Sequence, residues 1–255
     1  MQMRHCVCLK REGGLFVDEK LIFIEQNIND LGFHIDSVQI RQFFDYYQLL
    51  VEWNKVMNLT AITDFEEVVR KHFVDSLSII YQKSMEDVDN MIDIGTGAGF
   101  PGLPVKIMFP HLKVTLLDSL KKRVDFINTV IGKLNLTGVE TLHGRAEDYA
   151  RLGEWREKYE LCVSRAVANL SVLSEYCLPF VKRGGTFISY KSGDMVSEME
   201  NAKSAVFLLG GKIESVKYFE LPGTEIKRSL VTVQKVNGCP AKYPRKAGTA
   251  AKNPL

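Results

Sequence analysis

Glycine recurs at alternate positions, Gly95, Gly97 and Gly99, in the stretch NMIDIGTGAGFPGLPVKI from Asn90 to Ile107. Glycine costs backbone entropy and proline removes a donor, so such a cluster does not suit the middle of a regular element. It suits a sharp turn on which a ligand lies without meeting Cβ atoms. Gly97, Gly99 and Gly102 also satisfy G-x-G-x-x-G, a pattern that is weak by itself. Asp118, 19 residues beyond Gly99, strengthens it: a carboxylate at the end of the next strand can accept from both hydroxyls of a ribose. The same aspartate could instead cap a helix beginning at Ser119. Asp93 stands two residues before Gly95, where a nicotinamide enzyme normally has an apolar residue. An acid there can order the turn and receive a cationic or amino-bearing ligand. S-adenosyl-L-methionine, with a sulfonium and an ammonium group, is therefore the expected cofactor.

The elements around the turn set its context. Strand-like runs at Met91–Ile94, 113–118, 139–142, 161–164 and 186–190 alternate with helical segments at 103–109, 119–134, 167–181 and 194–209. That alternation predicts βαβ units and a parallel sheet. Two further strands, 212–220 and 229–236, follow each other with only a loop between, which predicts an antiparallel hairpin. The expected fold is α/β, a Rossmann-like sheet of seven strands, mostly parallel and closed by that hairpin. A helical N-terminal lobe precedes it. Ile40, Phe43, Phe44, Tyr47, Leu50 and Val51 have helical spacing behind a cap at Asp36, and a second helical pattern follows Thr63 and Asp64. The expected organisation is an unstructured leader over 1–17, the lobe over 18–89, a cofactor-binding domain over 90–238 and a basic tail over 239–255.

Bulk properties narrow the classes. The 255 residues are 45% hydrophobic and 25% charged, typical of a soluble globular protein, and no apolar run could span a bilayer. Five cysteines, an odd number, read as reduced thiols, and a cytoplasmic location follows. His5, Cys6 and Cys8 lack a second ligand pair, so no metal is expected. Net charge is only +2, but five Lys/Arg and no acid lie from Lys235 onward. Such a tail is either a solvated segment or a basic arm on a polyanion.

Longer motifs carry a family signature. WNKVMNLTAIT, RKHFVDSL, the glycine stretch, LLDSLKKRVDF, GRAED, SRAVANL and the closing YPRKAGTAAKNPL resemble the RsmG (GidB) family over about residues 21–255. Its members methylate guanine N7 in bacterial 16S ribosomal RNA. The resemblance implies a class I methyltransferase fold, and cofactor contacts at Gly95 and Phe100, at Ala146 and Glu147 after the third strand, and at Arg165 after the fourth. Phe100 would wall the sulfonium, Ala146 and Glu147 would face the adenine, and Arg165 would pair with the methionine carboxylate or a phosphate.

Guanine N7 carries a lone pair and no proton, so transfer needs no general base, in keeping with a sequence that offers no nucleophile–base set. Cys162 and Cys177 lie in a predicted strand and helix and are not expected to be catalytic. RNA requires positive surface. Lys121, Lys122 and Arg123 after Asp118, Lys191 at the end of the fifth strand, and Arg228 before the last strand gather on the cofactor's edge. Lys242, Arg245 and Lys246 of the tail join them, with Tyr243 able to stack on a base. The expected partner is 16S RNA or the small ribosomal subunit, with no membrane and no obligatory protein partner evident. Two other readings stay open: a methyltransferase for a small molecule or protein, and a nonenzymatic RNA-binding assembly factor on the same fold.

Overall fold

The computed structural model describes residues 11–12, 15–165 and 168–255. Most of the 1–17 leader, with His5, Cys6 and Cys8, lies outside the described residues. The part within them departs from the expected unstructured segment: β1 (Arg11–Glu12) and β2 (Leu15–Phe16) pair antiparallel, and α1 (Val17–Asn29) begins directly after them.

Helix α2 (Ser37–Met57) starts at a capping box. Asp36 accepts from the Gln39 backbone N–H, and the Gln39 side chain accepts from the Asp36 N–H. Asn58, in the left-handed region, ends it. Phe43, Phe44, Tyr46 and Leu50 form its buried face. Asp64 caps α3 (Phe65–Val68), accepting from the Glu67 N–H. The helix then widens into a π turn over Val69–Val74 before α4 (Asp75–Leu77) and a 3₁₀ turn over Ser78–Tyr81. Such turns break the regular register and re-aim side chains, here Lys71 and His72.

The seven-stranded sheet contains β3 (Asn90–Ile94), β4 (Lys113–Asp118), β5 (Val139–His143), β6 (Tyr159–Ser164), β7 (Val181–Lys191), β8 (Gly211–Glu220) and β9 (Lys227–Lys235). Their order is β5-β4-β3-β6-β7-β9-β8, parallel as far as β7 and antiparallel beyond it. The expected hairpin is present, and its second strand inserts next to β7. Helices α5 (Gly102–Met108), α6 (Lys121–Lys133), α7 (Ala146–Tyr149), α8 (Leu170–Cys177) and α9 (Val196–Leu208) make the crossovers, and α10 (Thr249–Lys252) lies in the tail. The expected helix over 167–181 is shorter than its pattern: α8 ends at Cys177, Pro179 sits in a 3₁₀ turn, and Val181 already starts β7. Proline cannot supply the helical N–H, which ends the helix there.

The lobe and the sheet share one apolar core. Phe43 and Tyr46 of α2 pack on Phe73, and Tyr46 also stacks on Phe100 and touches Phe126. Gln39 and Gln42 donate to the Ile107 and Leu134 carbonyls. Tyr46 Oη donates to the Ala98 carbonyl, so the lobe grips the glycine turn itself.

Candidate active site

Strand β3 is flanked by β4 on one side and β6 on the other, so the chain leaves it toward opposite edges. A crevice opens at the carboxyl ends of the strands at such a switch point. A cavity of about 470 Å³ lies there, and every parallel strand from β3 to β6 delivers residues to it. The β3 turn contributes Gly95, Gly97 and Phe100; β4 ends in Asp118; the β5 turn leads to Ala146 and Glu147; β6 is followed by Arg165. The helical lobe closes it with Leu59, Thr60 and His72.

The glycines divide by task. A Cβ on Gly95 or Gly97 would meet no protein atom within 4 Å, and both line the cavity. Gly97 also has φ +63°, which other residues rarely adopt. Gly99 differs from the expectation that it faces a ligand: its Cβ would come 2.5 Å from Leu103 Cδ1 and 2.6 Å from Tyr46 Oη, so it serves packing. Gly102 does likewise, 2.3 Å from Leu116 Cδ2.

Asp93 is fully buried beneath this turn. Its Oδ2 accepts from Thr96 Oγ1 (2.7 Å) and from the Gly102 N–H (2.9 Å), whereas Oδ1 has no partner among the described residues. Burial pushes its pKa up to about 7, against the pull of those two hydrogen bonds. Asp118, 2% exposed, takes the Gly97 N–H on Oδ2 and the Leu120 N–H on Oδ1, both at 2.9 Å. Arg123 reaches the same carboxylate at 3.4 Å and lines the cavity. Among the residues expected to meet RNA, Arg123 thus sits on the cofactor side.

Arg165 is held from several directions. Its Nη1 donates to Asp75 Oδ2 (3.0 Å) and the Lys71 carbonyl, its Nη2 to His72 Nδ1 (3.2 Å), and its guanidinium lies 5.0 Å from the Phe100 ring centre. A guanidinium only donates, so His72 Nδ1 accepts and Nε2–H points at Thr60 Oγ1, 2.9 Å away. Burial, followed by the Arg165 charge, drives the His72 pKa down to about 3, and the ring is neutral. It stacks on Phe100 with centres 4.6 Å apart. Residues 166 and 167, in the SRAVANL motif beside Arg165, lie outside the described residues.

The remaining basic residues are scattered. Lys121 and Lys122 are exposed, the former paired with Asp125. Lys191 and Arg228 line a second cavity that shares His72 and Arg165 with the first. Lys242 and Lys246 are set on the tail, Lys242 exposed and its ammonium 5.2 Å from the Tyr243 ring centre. Arg245 is committed elsewhere: its side chain makes three hydrogen bonds of 2.6–3.1 Å to Glu175, itself 1% exposed, and so is not offered to phosphate. Tyr243, expected to stack on a base, is 6% exposed and packs in the core, because Arg156 and Arg151 fasten the tail by its carbonyls. Gly248 N–H reaches Glu147 Oε1 at 2.9 Å. Cys162 and Cys177 are wholly buried, and burial raises the Cys162 thiol further from ionisation, consistent with no catalytic cysteine.

A glycine turn at the switch point, an acid ending the next strand, and a parallel sheet closed by an antiparallel pair define a Rossmann-like class I methyltransferase fold. Solved structures share the architecture. The YcgJ protein from Bacillus subtilis superposes with TM-score 0.50 at 14% identity, over 66% of this chain and 100% of that one. NSun6 from Pyrococcus horikoshii does so with TM-score 0.50 at 15% identity, over 65% and 52%. Residues 39–231 match the family described as GidB, rRNA small subunit methyltransferase G, and the chain belongs to that family. Proteins named ribosomal RNA small subunit methyltransferase G from Acetivibrio thermocellus and Lachnoclostridium phytofermentans are 52% and 50% identical to it. Each alignment covers 90% of this chain, and 94% and 95% of the relatives.

His72, Thr60 and Asp75 carry no site role that sequence reasoning could assign. The signal is present in RKHFVDSL and NLTAIT, but no spacing rule links His72 to Arg165, 93 residues away.

Proposed function

We propose that the protein methylates guanine N7 in 16S ribosomal RNA, using S-adenosyl-L-methionine, in the cytoplasm of a bacterial cell. Membership of the rRNA small subunit methyltransferase G family carries this reading, and the site chemistry supports the cofactor and a transfer that needs no general base. No helix among the described residues is long and apolar enough to cross a membrane.

The residues fit the cofactor. Asp93 Oδ1, buried without a partner beneath the turn and outside the cavity lining, is the acceptor an ammonium group would pair with on entering that turn, and the open space over Gly95 and Gly97 admits a ligand against the backbone. Each carboxylate oxygen has two lone pairs, so Asp118 keeps acceptor capacity for ribose hydroxyls beyond its two backbone bonds. Ala146 and Glu147 would flank the adenine, and Arg165 retains donors for the methionine carboxylate. When bound, S-adenosylmethionine would supply a methyl group on positively charged sulfur, to be taken up by the N7 lone pair with the C–S electron pair left on sulfur. No proton moves. The chain's part is orientation and electrostatics. The neutral His72 fits this chemistry, since a ring with pKa about 3 is a poor base and adds no positive charge beside the cationic product. Lys121, Lys122, Lys242 and Lys246 are the cations available to RNA phosphates.

Tritiated S-adenosylmethionine incubated with small subunits from a strain lacking the gene tests the reading. Label should enter 16S RNA, and the RNA should break at one guanine after borohydride and aniline treatment. Labelling without such cleavage would overturn N7 as the acceptor, and no labelling would favour an assembly factor.

A further inference from the structure

Beside the cofactor cavity lies a second one of about 470 Å³, a size that admits a small organic group. His72 and Arg165 line both, so the two spaces meet at one shared wall. The second cavity is rimmed by cations, Lys71, Lys191 and Arg228, in addition to Arg165. It also holds two carboxylates with different commitments. Asp75, buried, spends one oxygen on Arg165 and the other on Arg228, each at 3.0 Å. Glu198 uses only Oε1, which accepts from Lys191 Nζ and the Leu170 N–H, both at 2.6 Å. Its Oε2 has no hydrogen bond among the described residues, and the side chain is 29% exposed.

We propose that this second cavity is the seat of the acceptor base, with Glu198 as its reader. A guanine turned out of the RNA stack enters with N7 directed past the edge of the His72–Arg165 pair into the cofactor cavity, and its N1–H and 2-amino group donate to Glu198 Oε2. The inference rests on the guanine-N7 reading and adds the residues that select guanine. On that edge adenine presents an acceptor at N1 and no 2-amino group, so its lone pair faces a carboxylate. A flipped base must be held by such edge contacts once unstacked. Asp75 fixes Arg165 and Arg228 so that they frame the base rather than swing into the opening.

Glu198→Gln tests this. The amide oxygen can still take the Leu170 N–H, so the loop between β6 and α8 keeps its tether, but the remaining group becomes a donor facing donors. A site built for such hydrogen bonds loses them steeply; kcat/KM on gene-deficient subunits should fall at least ~100-fold, with affinity for S-adenosylhomocysteine changed less than about twofold. Guanosine 5′-monophosphate at millimolar concentration should inhibit wild-type methylation more strongly than adenosine 5′-monophosphate, and Glu198→Gln should abolish that preference. Ser192→Trp, an exposed lining position, provides a steric check that does not depend on Glu198. It should block methylation while leaving cofactor affinity intact. Wild-type kcat/KM in either variant, or no preference for the guanine nucleotide, would overturn the proposal. An incorrect N7 reading would appear separately, as wild-type product RNA that resists borohydride and aniline.

Discussion

Asp93 offers a quantitative test of the cofactor site through pH. Its carboxyl has no ion-pair partner among the described residues, and burial holds its pKa at about 7 against an ordinary 3.8. The ligand-free protein therefore contains a mixture of neutral and ionised Asp93 near neutrality. If the ionised form receives the cofactor's ammonium, binding pulls the pKa down, since an adjacent opposite charge lowers a carboxyl by roughly 1–3 units. Affinity then scales with the fraction already ionised. That fraction is ~0.1 at about pH 6 and ~0.75 at about pH 7.5, so the apparent Kd should tighten about eightfold, or ~1.3 kcal/mol, between them. Binding at about pH 6 should release close to one proton, and at about pH 7.5 only about a quarter of one.

Titration calorimetry with S-adenosylhomocysteine, in buffers of different ionisation enthalpy, measures both quantities. This ligand keeps the ammonium and avoids turnover. Asp93→Asn should bind weakly and without pH dependence; its amide oxygen can still accept from Thr96 and Gly102, so the turn survives. Equal wild-type affinity at both pH values, with no proton released, would show that Asp93 does not receive the ammonium. Global stability is a poorer assay. The raised pKa of Asp93 makes the ligand-free fold lose stability as pH rises from about 4 through 7. Neutral His72, with its pKa lowered from 6.5 to about 3, costs stability in the opposite direction as pH falls through that window.

The two kinds of glycine should separate binding from folding. Gly97→Val should abolish cofactor binding with a cooperative melt retained, whereas Gly99→Ala, which drives a Cβ into Leu103 and Tyr46, should lower unfolding free energy by ~1–3 kcal/mol. Replacing Lys121 and Lys122 by Ala should flatten the slope of log K for RNA against log salt by ~0.7–0.9 for each phosphate they neutralise, as filter binding over a salt series would detect. Arg245→Ala strands the buried Glu175 carboxylate and should cost ~3–5 kcal/mol in urea unfolding, much of it regained in the double variant with Glu175→Ala. Single-turnover methyl transfer at saturating cofactor and RNA should stay nearly flat from about pH 6.5 to 8.5; a steep rise would indicate a general base and an acceptor other than N7.

Local chemistry made much of this molecule legible in the sequence. The glycine turn, Asp118 and the alternation of strands and helices are written in neighbouring residues, as are the caps at Asp36 and Asp64. What escaped depends on closure between distant segments. Asp93 can be read from sequence as an acid near a turn, but not that one oxygen ties Thr96 and Gly102 while the other is left bare. Arg245 reads as a free cation in a proline-containing basic tail until Glu175, 70 residues earlier, is found buried against it. The π turn over Val69–Val74 has no compositional mark, yet it aims His72 at Arg165 and Asp75 at both Arg165 and Arg228. These three cases have a common cause: a titratable side chain's solution behaviour is local, but once buried its role depends on which partners the fold brings to it, or withholds. The boundary between the two cavities is built from such pairings, so its polar chemistry resides in contacts between the end of β6, the start of β9 and a lobe whose motifs gave no spacing that links them to Arg165.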